Sequence, residues 1–172
     1  MKATLVLFLF AASAFAQDPA AVMAAKAACG PSSVKFDAQQ DASQHPTPEP
    51  DPGKAMVYVV QSLGEIECAS CTLTRVALDG AWVGATQGTS YLFFPVDPGE
   101  HHLCVNWQSR FEWKSKALAL ANFTAEPGHV YYFRVRLSLS RLIYVFDLDP
   151  INNDQGKLLV ASSGLSVSHP KK

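Results

Sequence analysis

Short hydrophobic runs separated by polar turn residues dominate the chain between residues 55 and 148. The runs are rich in β-branched and aromatic residues, which is typical of strands. No helical periodicity separates them, so the pattern favours packed sheets over alternating strands and helices. We therefore predict an all-β fold, an antiparallel β-sandwich of about seven to eight strands. The runs are residues 55–62, 73–78, 81–86, 90–96, 101–107, 117–124, 129–138 and 141–148.

Three junctions between these runs carry residues that specify tight turns. Asp79 and Gly80 both tolerate a positive φ, so this pair predicts a type I′ hairpin. At the other two junctions a proline precedes a glycine, the order that favours a type II turn because proline fixes φ and the glycine that follows allows a positive φ. These two pairs are Pro98-Gly99 and Pro127-Gly128.

A short helix is predicted on each side of the β-rich region. Residues 18–30 have Asp18 as N-cap, Pro19 at the first helical position and an alanine-rich body. Residues 151–162 have hydrophobic residues at helical spacing and follow Asp149, which we interpret as the N-cap. A glycine within this second helix lowers its helix propensity by about 1 kcal/mol relative to alanine.

Four proline residues recur at every second position in the segment before the first run, at Pro46, Pro48, Pro50 and Pro52. This spacing favours an extended polyproline II conformation, and we predict that the segment is a linker. The predicted organisation is a signal peptide (1–16), a short N-terminal helical segment (17–36), a Pro-rich linker (37–54), a β-sandwich domain (55–163) and a polar tail (164–172).

The first sixteen residues have the three parts of a signal peptide. Lys2 supplies the positive charge, an apolar run follows, and small residues at Ala14 and Ala16 predict cleavage between Ala16 and Gln17. No later segment approaches the roughly 18 apolar residues of a transmembrane helix, and no cysteine follows the cleavage site to carry a lipid. The sequence thus predicts an exported protein, periplasmic or secreted.

The charge pattern argues against nucleic acid as a partner. The chain has 14 basic and 15 acidic side chains, and its longest basic run is Lys171-Lys172, whereas phosphate binding needs a concentrated basic face. We therefore expect the partner to be an envelope protein or a glycan rather than a nucleic acid. Aromatic side chains either fill the core or form a stacking platform for such a partner. They are Trp82, Trp107, Trp113, Tyr91, Tyr131 and Tyr132.

The four cysteines are an even number, which in an oxidising compartment indicates two disulfides with three possible pairings. Cys68 and Cys71 are close enough to pair in one loop, which leaves Cys29 with Cys104. The CxxC spacing of Cys68 and Cys71 is also that of thiol–disulfide oxidoreductases, but no helix start or neighbouring cation is predicted there to stabilise a thiolate.

No residue is predicted to be catalytic, to bind a cofactor or to bind a metal. His101 and His102 are neighbours on a predicted strand, so their side chains point to opposite faces. Asp147 and Asp149 form a DxD pair at a strand end, but Asp149 is already interpreted as a cap and no calcium loop follows. No serine lies in a GxSxG nucleophile elbow.

The hairpin around Asp79-Gly80, the Pro98-Gly99-x-His101 turn and the Pro127-Gly128 turn follow one another in a characteristic order. Over roughly residues 54 to 162 the sequence resembles the bacterial family called domain of unknown function 2846. The same order is similar to that in PEGA-type extracytoplasmic modules, a wider group of small β-sandwiches. The resemblance implies a fold and an envelope location, and it transfers no catalytic residue.

Two function classes follow from these observations. The first is a non-enzymatic β-sandwich module that binds or scaffolds a partner in the cell envelope. The alternative is an envelope thiol-redox or metal-binding protein that uses Cys68 and Cys71.

Overall fold

The structure, a computed structural model, describes residues 20, 23, 26–62, 73–108, 117–140 and 143–172. These ranges form ten strands and one helix that can be given bounds. The elements are β1 (Phe36–Asp41), β2 (Ala55–Ser62), β3 (Leu73–Leu78), β4 (Ala81–Gln87), β5 (Ser90–Val96), β6 (Gly99–Gln108), β7 (Leu118–Ala125), β8 (Val130–Ser140), β9 (Ile143–Ile151), α1 (Asn153–Ala161) and β10 (Gly164–Pro170).

The strands form two sheets. The six-stranded sheet has the order β1-β10-β5-β2-β8-β9, and the four-stranded sheet has the order β4-β3-β6-β7. Most neighbours are antiparallel, but β2 pairs parallel with β8 and β10 pairs parallel with β5. The all-β prediction is confirmed, whereas the larger sheet is mixed rather than purely antiparallel. Both parallel pairs join strands that are distant in sequence, since a short hairpin cannot connect parallel strands.

A hydrophobic core fills the space between the sheets. Val57 and Val59 on β2 meet Val76 and Val105 on the opposite sheet, and all four are fully buried. The alternate residues of β2, among them Tyr58, face away from this core and are buried as well. A strand that is buried on both faces shows little polar alternation, which is why AMVYVVQS is almost continuously hydrophobic.

Each of the eight predicted runs coincides with one strand, and the second predicted helix is α1. Two strands were missed, β1 inside the predicted linker and β10 inside the predicted polar tail. The two pair with each other, with Phe36 opposite Pro170. Only Phe36 and Ala38 of β1 are buried, and the polar residues that follow them break the alternation, so the pattern was too weak to predict a strand.

The rest of the predicted linker, residues 42–54, is an extended segment that we call the strap. It connects β1 at the edge of the larger sheet to β2 near its centre, and it therefore passes β10 and β5. Instead of spacing two domains, it lies on the face of the sheet that points away from the four-stranded sheet. We call this surface the outer face; Tyr58 and Tyr91 on it donate hydrogen bonds to the strap.

The three predicted turns differ in their geometry. Asp79 has φ 49° and Gly80 has φ 84°, both positive as a type I′ turn requires. Gly128 has φ 77°, and the His129 amide donates to the Glu126 carbonyl, as in a type II turn. Gly99 has φ 138°, far from the type II value of about 80°, because it already pairs with Ala125 as the first residue of β6.

A disulfide joins Cys29 to Cys104 on β6, with 5.1 Å between their Cα atoms. The segment that follows Cys29 is held by the buried side chain of Arg75, whose guanidinium donates hydrogen bonds to the carbonyls of Ser32 and Val34. The same guanidinium lies 4.4 Å from the ring centroid of Trp82. The chain between the disulfide and β1 is therefore fixed to the smaller sheet. Cys68, Cys71, the cleavage site at Ala16 and Gln17, and most of the predicted N-terminal helix lie outside the described residues.

Candidate functional site on the outer face

A cavity of about 470 Å³ lies between the strap, α1 and the outer face. Its volume falls in the range of roughly 300–1,000 Å³ that is common for ligand sites. The sheet contributes two tyrosine rings, and the strap and the helix contribute the polar groups. The lining residues are His45, Thr47, Pro48, Glu49, Tyr58, Val130, Tyr132, Lys157, Val160 and Ala161.

Three tyrosines on neighbouring strands form a row beneath the cavity and the strap. They are Tyr91 on β5, Tyr58 on β2 and Tyr132 on β8. Tyr58 and Tyr132 are directly opposite each other in the sheet, and their rings stack with centroids 5.1 Å apart. The Tyr91 ring lies 6.3 Å from that of Tyr58. All three side chains project from the same face because they occupy alternating outward positions of their strands.

The strap is held by two members of this row. The Tyr91 hydroxyl donates a hydrogen bond to the Pro46 carbonyl at 3.0 Å, and the Tyr58 hydroxyl donates to the Pro48 carbonyl at 2.9 Å. Prolines have no N–H group, so a proline-rich segment offers its neighbours backbone acceptors at these positions and no donors. The tyrosine hydroxyls supply the matching donors.

The third hydroxyl, that of Tyr132, receives no hydrogen bond from the described part of the chain and donates none to it. The side chain is nevertheless buried, with 8% of the residue exposed, and it lines the cavity. Among the described residues, the buried polar side-chain atoms without a partner do not include this hydroxyl, so it is open to the cavity. Tyr132 therefore offers a ligand a hydrogen-bond donor that the described part of the chain does not use.

Helix α1 closes the other side of the cavity. Its N-cap is Asn152, whose side chain accepts from the Gln155 amide at 2.9 Å. Asp149, predicted to be the cap, instead lies on β9 and pairs with Arg136 at 2.6 Å, because the strand continues through Pro150 to Ile151. The helix packs through its buried residues Gly156 and Val160, and Lys157 between them reaches the cavity.

Burial changes the acidity of the tyrosine row. Removal from water, together with the neighbouring Tyr132 and Tyr91, raises the pKa of Tyr58 to about 12. Burial also raises the pKa values of Tyr91 and Tyr132. The three phenols therefore remain protonated hydrogen-bond donors at physiological pH.

The other candidate residues lie elsewhere. His101 hydrogen-bonds Asp79 through Nδ1 and the Asp97 carbonyl through Nε2, both at 2.7 Å, so it supports the hairpin at Asp79. Burial opposes protonation of His101, but these two acceptors outweigh it and raise its pKa. Among the described residues, no group of three or more His, Cys, Asp or Glu side chains is placed to hold a metal ion.

Sequence analysis named Tyr91 and Tyr132 as core or platform aromatics but missed Tyr58. The signal was present, because Tyr58 interrupts an aliphatic run at a position that shares a face with Met56 and Val60. The other named aromatics lie apart from this site. Trp82 stacks with Arg75, Trp107 is in the core between the sheets, and Trp113 is outside the described residues.

Comparison of the chain with protein-family models, with curated proteins and with solved structures gave no match. In the part of the chain that is described, no helix is long and apolar enough to cross a membrane.

Proposed function

We propose that the protein is an exported, non-enzymatic binding module of the cell envelope, and that the cavity beside α1 is its binding site. The supporting observation is the Tyr132 hydroxyl, which is open to a cavity of about 470 Å³ and lacks a partner among the described residues. Thr47 and Lys157 add polar groups around the apolar tyrosine rings, a combination common in small binding sites.

The same geometry favours binding over catalysis. The charged and imidazole side chains that line the cavity, those of His45, Glu49 and Lys157, are exposed, and no hydrogen bond joins them as a nucleophile and a base would be joined. The alternative of a thiol-redox protein rests on Cys68 and Cys71, which lie outside the described residues. Membership in the domain of unknown function 2846 family belongs to the proposal and is supported by the turn motifs alone.

A blocking substitution tests the site. Ala161 is exposed on the last turn of α1 and lines the cavity, so Ala161→Trp should fill it without disturbing the core. Leu158→Trp places the same side chain on the same helix at a residue that is 63% exposed and does not line the cavity. We expect the tagged wild-type chain and Leu158→Trp to retain one set of envelope components, and Ala161→Trp to lose it. Equal retention by all three would refute the site.

A further inference from the structure

The strap shows what kind of ligand the tyrosine row accepts. Tyr91 and Tyr58 donate to the carbonyls of Pro46 and Pro48, two residues apart. Two residues of a polyproline II segment rise by about 6.2 Å. The ring centroids of Tyr91 and Tyr58 are 6.3 Å apart, a separation similar to that rise.

The strap leaves the row before it reaches Tyr132. Its end turns at Gly53, which has φ 81°, and the Lys54 amide donates to the Asp51 carbonyl as the chain enters β2. The third donor is therefore left next to the cavity rather than under a carbonyl of the strap. Its ring stacks on that of Tyr58 and is covered by α1 at Gly156, so Tyr132 offers its hydroxyl to the cavity rather than its ring face.

We propose that the cavity binds a proline-rich, extended peptide segment of a partner protein, with a backbone carbonyl of the segment accepting a hydrogen bond from Tyr132. This proposal rests on the proposed function and names the ligand class of the same site. The partner segment lies beside the strap, which stays docked on Tyr91 and Tyr58. Aromatic grooves that donate to backbone carbonyls are a recurrent way to bind proline-rich peptides, because such peptides are already extended and lose little entropy.

The polar rim of the cavity is compatible with such a segment. Lys157 from the helix and Glu49 from the strap carry opposite charges, so the site does not demand a strongly charged ligand. Pro48 and Val160 provide apolar contacts for pyrrolidine rings. The backbone carbonyls of such a segment give the Tyr132 hydroxyl an acceptor at the cavity.

A peptide titration of the full chain tests the ligand class. The probe is a synthetic peptide with the sequence of residues 44–52, and its control has alanine in place of all four prolines at the same charge. Binding is followed by NMR shifts of the isotope-labelled protein. We expect saturable shifts around Tyr132 and α1 with the proline peptide and no saturation with the alanine peptide. Equal binding of both peptides, or of neither, would overturn the ligand class.

Two tyrosine variants test the contact. Tyr132→Phe removes a hydroxyl that no described group binds, so the melting temperature should not change. The dissociation constant of the proline peptide should rise about fivefold, which is the effect of one lost hydrogen bond. Tyr131→Phe is the matched control, because Tyr131 is adjacent on β8 but faces the other way, accepting from the Glu126 amide at 3.0 Å. A Tyr132→Phe protein that binds the proline peptide as wild type does would also refute the proposal.

Failure of the ligand class and failure of the site give different results. If neither peptide binds but soluble N-acetylglucosamine oligomers shift the cavity resonances, and Ala161→Trp abolishes that shift, the site stands and the ligand is a glycan. If Ala161→Trp also leaves the retention of envelope components unchanged, the binding site itself is wrong. Either result rejects the proline-rich ligand.

Discussion

A Cβ atom on Gly156 would lie 2.2 Å from Cγ of the Tyr132 ring, closer than any real contact. The glycine that weakens the helical propensity of residues 151–162 is thus what lets α1 lie directly on the outer face. Tyr132 is held between this helix on one side and the stacked ring of Tyr58 on the other. The position of the candidate ligand-binding hydroxyl therefore depends on one missing methyl group.

Gly156→Ala should destabilise the protein although alanine is the better helix former. The added methyl must displace the helix or the Tyr132 ring, and overpacking of this kind costs about 1–3 kcal/mol. Leu158→Ala, at an exposed position of the same helix, should change the free energy of unfolding by less than about 1 kcal/mol. Urea unfolding of both variants measures the difference. A Gly156→Ala protein as stable as wild type would show that the helix is not packed as described.

Tyr58→Phe and Tyr91→Phe should each lower the free energy of unfolding by about 1 kcal/mol. Each change removes one hydroxyl that donates to the strap and keeps the ring in the hydrophobic cluster. Tyr132→Phe should cost less, because no described group receives its hydrogen bond. Chemical denaturation of the three variants ranks them, and equal losses would contradict the different roles assigned to the three hydroxyls.

Loss of the Cys29–Cys104 disulfide should strongly lower the free energy of unfolding. The bond closes a loop with a sequence separation of 75, and in the chain-entropy model such a loop stabilises the fold by about 4 kcal/mol. Cys29→Ser with Cys104→Ser should show this loss in thermal unfolding. A double Cys68→Ser, Cys71→Ser variant is the matched comparison, since a bond across so short a loop would contribute far less.

The Asp79–His101 pair should make stability depend on pH. The raised pKa of His101 means that its protonated form stabilises the fold, fully below the unfolded value near 6.5 and progressively less as the pH rises through the folded pKa. Burial acts against ionisation of Asp79, but its hydrogen bonds from His101 and His102 prevail and lower its pKa. The Asp79 contribution is therefore present above about pH 4 and is lost as the pH falls through its folded pKa.

Asp79→Asn tests this pair without disturbing the turn, because asparagine also tolerates the φ of 49° at this position. NMR titration should show the pKa of His101 moving down towards its ordinary value. The loss of stability on raising the pH through neutrality should become smaller. An unchanged His101 titration would mean that the Asp97 carbonyl alone accounts for the raised pKa.

Gly128→Ala should cost about 1–2 kcal/mol for backbone conformation alone. A Cβ there meets no atom within 4 Å, so the penalty comes from φ 77° rather than from a clash. Gly128→Asn is the matched control, because asparagine enters the left-handed region more readily, and it should cost less. Identical melting temperatures for both variants would show that the turn relaxes to another geometry.

The sequence predicted the eight strands that have clear hydrophobic runs and the helix between β9 and β10. It could not predict β1 and β10, because both have polar residues at most positions and join the larger sheet through pairing with strands distant in sequence. The strap was interpreted as a linker for a related reason. Pro46 and Pro48 indicate an extended chain, but the donors that bind them, Tyr91 and Tyr58, lie on two later strands.

The pairing of β1 with β10 joins the first and last strands of the described chain. β10 lies between β1 and β5, so β1 has no place in the larger sheet until residues 164–170 have joined it. Contacts between such distant segments form slowly, because the entropy of closing the long intervening loop is lost first. The strap begins where β1 ends and continues into β2, so this pairing holds the start of the strap at the edge of the sheet while β2 holds its end. The last strand of the chain thus helps to keep in place a segment that lies more than a hundred residues earlier in the sequence.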